Sequence, residues 1–158
     1  MSIEKQTVEL LKSKKLKLAT AESCTGGLIS KRITDVSGSS EVFEGGVVCY
    51  SNRFKENVLG VSRETLKKYG AVSRETAREM VKGVLSLTKA DIAVAVTGIA
   101  GPSSDDTNKP VGLVYIAVSD GKSTIVKKHL NNFTGDVREQ NRSISADTAL
   151  EMIMEAIR

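Results

Sequence analysis

The sequence predicts a three-layer α/β/α sandwich built on a mixed sheet with an antiparallel hairpin. Three observations carry that prediction. Short β-rich runs alternate with helical three-four repeats along the chain. One run, "DIAVAVTG" (91–98), is apolar almost throughout, as a central strand covered on both faces must be. Asp120-Gly121 lies between two β-rich runs and reads as the turn of a hairpin. Alternation calls for a parallel sheet flanked by helices, and the hairpin adds the antiparallel part.

In chain order, residues 3–14 form a first helix, closed by the basic cluster "KSKKLK", where cations complement the helix dipole. Leu16, Leu18 and the small residues after them read as a strand. "ESCT" then leads through a Gly-Gly turn into a helix marked by Leu28, Ile29 and Ile33 that ends near Gly38. "FEGGVVCYSN" is a second strand and "RFKENVLG" a short helix. Ser73 caps a longer helix in which Ala77, Met80, Val81, Val84 and Leu85 recur at three-four spacing. After the 91–98 strand, the polar loop "GPSSDDTNKP" leads into the hairpin. A last helix covers about residues 135–157, with Leu150, Ile153, Met154 and Ile157 marking its buried half. Its first half is far more polar, with Arg138 and Arg142 one turn apart on one face.

With 158 residues and no visible repeat or linker, residues 1–158 read as one domain. No run approaches the ~20 apolar residues of a membrane span, and the N-terminus lacks an apolar signal core. The expectation is a cytoplasmic protein without a membrane partner. The net charge of +4 is scattered, and six aromatics without a Trp offer few stacking surfaces, so no nucleic-acid partner is expected. Cys24, Cys49 and a single histidine match no metal-ligand spacing, so neither a metal nor a cofactor is expected. That histidine, His129, lies on the second hairpin strand and reads as a surface residue.

Three strand ends, "TAESCTGG", "GGVVCYSN" and "VTGIAGP", stop in small polar residues and glycine. In open α/β sheets ligands collect at such ends, where helix N-termini offer free N–H groups. With His129 elsewhere, a Ser-His-Asp triad or a Cys-His pair is not expected, and a lysine is the known substitute base for serine. Lys55 follows Tyr50 by five residues in a short helix that can fold back over the strand end. A lysine becomes a base at neutral pH only when burial or a neighbouring cation lowers its pKa. Spacing alone leaves Lys55 equally readable as a solvated helix residue. It also leaves open whether Ser23 or Cys24 faces the pocket, and whether Thr97 donates to a ligand or only ends a strand.

"TAESCTGG", "SGSSEVFEGGVVCYSN", "LGVSRETLKKYGAVS", "TGIAGP" and "KPVGLVYIA" closely resemble, in the same order, the CinA C-terminal domain family of nicotinamide-nucleotide amidases. The resemblance runs from about residue 5 to the C-terminus. It implies hydrolysis of the carboxamide of nicotinamide mononucleotide to nicotinate mononucleotide and ammonia, a salvage step for NAD, by a metal-free, stand-alone form of the domain that pairs as a homodimer. Carried over, it makes Ser23 the nucleophile, with Lys55 and Tyr50 moving its proton. The N–H groups of Thr25-Gly26-Gly27 become the oxyanion hole. Arg138 and Arg142 become the phosphate grip, with the ribose and pyridinium along Gly45, Gly46, Thr97 and Gly98. Two departures stand out. "GPSSDDTNKP" replaces the family's "GPDGG", and "GDVREQNR" replaces "GDR" with a second arginine four residues on, which leaves Arg142 in place and sets Arg138 out of register. The alternative reading is a nucleotide-binding module without catalysis.

Overall fold

A computed structural model describes residues 1–158. In chain order the elements are α1 (Ile3–Lys14), β1 (Leu18–Glu22), α2 (Leu28–Thr34), a 3-10 turn (Ser39–Glu41), β2 (Phe43–Val48), α3 (Asn52–Leu59), α4 (Arg63–Tyr69), α5 (Arg74–Thr88), β3 (Ile92–Gly98), β4 (Leu113–Ser119), β5 (Thr124–Leu130) and α6 (Val137–Ile157). The five strands form one sheet in the order β2-β1-β3-β4-β5. β1 pairs in parallel with β2 and β3, and β3, β4 and β5 pair antiparallel. The predicted sandwich, mixed sheet and hairpin are all present.

Period-two alternation along the strands builds two different faces. Leu18 of β1, Ile92, Val94 and Val96 of β3, and Val114, Ile116 and Val118 of β4 meet α1, α2 and α6 through Leu11, Ile29, Ile33, Leu150 and Ile153. The opposite face carries Ala19, Ala21, Ala93, Ala95 and Ala117. Alanines bring the sheet close to α5, whose Ala77, Met80, Val81 and Val84 fill the space directly above them. The run "IAVAV" therefore encodes a bulky face and a flat one.

Helix α4, capped by Ser62, was not anticipated; it has seven residues and buries only Leu66, too little to write a period into the sequence. β2 ends at Val48, two residues before Tyr50. No helix is long and apolar enough to cross a membrane.

The connections position the site. The β1-to-β2 crossover places α2 on one face of the sheet, and the β2-to-β3 crossover returns across β1 with α3–α5 on the other. The chain thus changes direction between β1 and β3, and a crevice opens at their carboxyl ends.

Candidate active site

A cavity of about 250 Å³ occupies that crevice. Ser23 and Cys24 follow β1, Thr97 and Gly98 end β3, and Tyr50, Lys55 and Arg138 close the sides, with Ser103 to Asp105 at the outer wall.

Lys55 is the decisive group. It is 1% exposed, although it belongs to an eight-residue surface helix, because α3 folds back over the end of β2. Its Nζ donates to Ser23 Oγ at 2.9 Å, to the Cys49 carbonyl at 2.8 Å and to the Tyr50 carbonyl at 3.1 Å. Burial lowers its pKa below the ordinary lysine value of 10.5. The neighbouring thiols add no compensating charge at neutral pH, because burial pushes Cys24 up to about 12 and raises Cys49 as well. A neutral amine keeps two N–H bonds, which the two carbonyls take, and its lone pair then faces Ser23 Oγ. Lys55 reaches Ser23 and makes no bond to Cys24, whose sulfur packs into the core against the end of β3.

The turn after Ser23 is locked from several directions. Gly26 and Gly27 have φ of +59° and +102°, conformations in which a side chain is strained. The Glu22 carboxylate, fully buried, accepts from the N–H groups of Ile29 (2.8 Å) and Ser30 (3.0 Å) and from Ser30 Oγ (2.6 Å), which caps α2 from the preceding strand. Gly26 N–H donates to the Ser23 carbonyl, whereas the N–H groups of Cys24, Thr25 and Gly27 donate to no group of the chain.

Three side chains of the polar half of α6 turn toward the site, although Glu139 and Ser143 between them face solvent. Arg138 donates to the Gly101 carbonyl at 2.7 Å and to the Tyr50 hydroxyl at 2.9 Å, at the cavity's side. Asn141 holds the Ala100 carbonyl at 2.8 Å. Arg142 donates from Nε to the Cys24 carbonyl at 3.1 Å and from Nη2 to the Thr25 carbonyl at 2.9 Å, and it does not line the cavity.

The structure therefore brings together Ser23, Tyr50, Lys55, Thr97, Gly98 and Arg138. The Tyr50 hydroxyl bonds Arg138, and only the Tyr50 backbone carbonyl touches Lys55. The Thr97 hydroxyl donates to the Ala71 carbonyl at 2.8 Å, joining β3 to the turn before α5. Gly45 and Gly46 lie on edge strand β2, outside the cavity; a Cβ at Gly46 would stand 2.2 Å from Thr20 Oγ1, so packing beneath α2 explains that glycine. His129 is half-buried rather than on the surface, with its Nε2 enclosed beside Ile144, Ser145 and Thr148 of α6. Glu22 and Asn141 are contributors that sequence reasoning missed. Period-two placement put Glu22 on the face of β1 that Leu18 presents to α2, a signal that was available; nothing marked Asn141.

The chain matches the family model of the CinA C-terminal domain over residues 1–157. It is 48% identical over 156 residues to a CinA-like protein of Thermotoga sp. strain RQ2, covering 99% of this chain and 37% of that one. The chain thus spans little more than a third of that relative's length. Among solved structures, a competence/damage inducible protein CihA from Agrobacterium tumefaciens superposes with a TM-score of 0.90 at 41% identity, covering 97% of this chain and 92% of that one. A competence or damage-inducible protein from Enterobacter asburiae gives 0.92 at 31% identity, covering 99% and 96%.

Proposed function

The chain belongs to the CinA C-terminal domain family, and from that premise we propose that its cavity hydrolyses a carboxamide, converting nicotinamide mononucleotide and water to nicotinate mononucleotide and ammonia in NAD salvage. One observation carries the reading: a buried lysine of lowered pKa, 2.9 Å from a serine hydroxyl, whose other N–H bonds are held by two carbonyls.

Ser23 Oγ attacks the amide carbon while its proton passes to neutral Lys55. Charge on the former carbonyl oxygen meets the unpaired N–H groups of the Ser23–Gly27 turn. Lys55 returns the proton to the amide nitrogen, the C–N bond breaks and ammonia leaves an acyl-serine. Water then attacks the ester as Lys55 takes its proton, and Lys55 hands that proton to Oγ as the C–Oγ bond breaks, restoring Ser23 and freeing nicotinate mononucleotide. Arg138 is the cation at the cavity for the phosphate, with Tyr50 beside it. The same reading takes residues 1–158 as one catalytic domain acting as a cytoplasmic homodimer.

The test is ammonia release from the mononucleotide at neutral pH, for wild type and Ser23→Ala. Release that disappears in the variant supports the amidase. A wild type that binds the nucleotide and releases nothing would make the chain a binding module instead.

A further inference from the structure

Arg142 resembles a phosphate ligand in sequence, yet both of its bonds go to main-chain carbonyls of the turn that carries Ser23. We infer that Arg142 is a positioning residue that aims the Thr25 N–H at the oxygen of the tetrahedral intermediate and takes no part in holding substrate. The inference rests on the amidase reading of the site.

The geometry follows from the planar trans peptide, whose C=O and N–H point in opposite directions. Arg142 Nε holds the Cys24 carbonyl, so the N–H of that same peptide unit, which belongs to Thr25, points away from the guanidinium. That N–H has no acceptor in the chain. Arg142 Nη2 holds the next carbonyl, Thr25 O, which Leu28 N–H also holds, and the Gly26 N–H of that unit is tied back to Ser23 O. Two consecutive peptide planes are thereby fixed by one planar fork, leaving one of their two N–H groups without an acceptor two residues after the nucleophile. A cation bonded to the carbonyl also polarises the peptide and strengthens its N–H as a donor. Space agrees with the arrangement: a Cβ on Gly26 would stand 3.4 Å from Arg142 Nη2, so the guanidinium lies directly against the turn. Arg138, one helical turn earlier, lines the cavity; Arg142 does not.

The two roles separate in steady-state kinetics of Arg142→Met and Arg142→Lys with nicotinamide mononucleotide and with its phosphate-free riboside. A positioning role predicts that kcat falls about 10- to 100-fold, in the range of one misaligned oxyanion donor, with KM for the mononucleotide changed less than about threefold and the same fractional loss on the riboside. The lysine variant keeps the charge but loses the fork, so it should recover only part of the rate. A raised KM for the mononucleotide with kcat intact would overturn the inference and make Arg142 a phosphate ligand; unchanged kinetics would overturn it too. Backbone amide NMR gives a readout independent of turnover. The Thr25 and Gly26 resonances should move in both Arg142 variants and stay in place in Arg138→Met. If wild type releases no ammonia the amidase reading fails by itself, and unmoved turn amides would then sink the clamp separately. Should Arg142→Met not fold, Arg142→Lys carries both measurements.

Discussion

The two walls of the cavity are built in opposite ways. The turn from Ser23 to Gly27 is fastened by interior groups: Glu22 caps the helix that follows, Arg142 holds two carbonyls and Lys55 holds the serine. The facing loop is fastened at its two ends, and at its start Asn141 and Arg138 hold the carbonyls of Ala100 and Gly101. Its outer part, residues 102–108, is exposed, with local bonds between Asp105 and Thr107, and Lys109 ties its end to the carbonyls of Tyr69 (2.5 Å) and Val72 (2.6 Å). The difference separates labour. On the proposed reading, the wall that carries Ser23 must hold its geometry to a fraction of an ångström, whereas the wall that would meet the rest of the substrate can change length and composition. The departure "GPSSDDTNKP" falls in the second wall.

That contrast can be attacked from its strong side first. Lys55→Met should lower kcat/KM by about 10²- to 10⁴-fold, the range of a lost general base. The wild-type profile should rise with pH as Lys55 loses its proton and level off below the 10.5 of an ordinary lysine, because burial lowers its pKa; this ascending limb should vanish in the variant. A profile that keeps the limb would assign it to another group. Next, Glu22→Gln puts an NH2 group among three donors in a fully buried site, and should destabilise the fold by about 2–3 kcal/mol in urea unfolding. A variant of wild-type midpoint would show that the first wall does not depend on its cap. Arg138→Met should raise KM for the mononucleotide about tenfold and leave the riboside within about twofold, reversing the pattern expected of Arg142. The smallest effect belongs to the second wall. Lys109→Ala should leave kcat within about twofold and cost under ~1 kcal/mol of stability, since its bonds lie near the surface. A large fall in kcat there would show that the outer loop is part of the chemistry.

Much of the fold was legible because burial writes a period into the chain. α1 falls on residues 3–14 as read, and α5 begins behind its Ser73 cap. The segment 61–72 carries no such period, since α4 buries one residue. In the site, sequence located the three strand ends whose convergence makes the cavity, but spacing cannot give the direction of a side chain. Arg138 and Arg142 are one turn apart, so both belong to one helical face. The rise of about 6 Å between them along α6 sends one to the cavity and the other to the turn behind it. For Tyr50 the contact that reaches Lys55 comes from the main chain, which every residue type supplies and no motif records.

The clamp on the nucleophile turn has a consequence for how the protein comes into being. Ser23 and Lys55 are 32 residues apart, whereas Arg142 lies 118 residues from Cys24. On a ribosome, which delivers the N-terminal part first, the serine and its base can meet while the last helix is still unmade. Their N–H donor is aimed only once α6 has docked across the strand ends. On the proposed reading, the making of α6 and the onset of reactivity are therefore joined by one guanidinium, so that a chain still lacking that helix holds Ser23 and Lys55 without their aimed N–H donor.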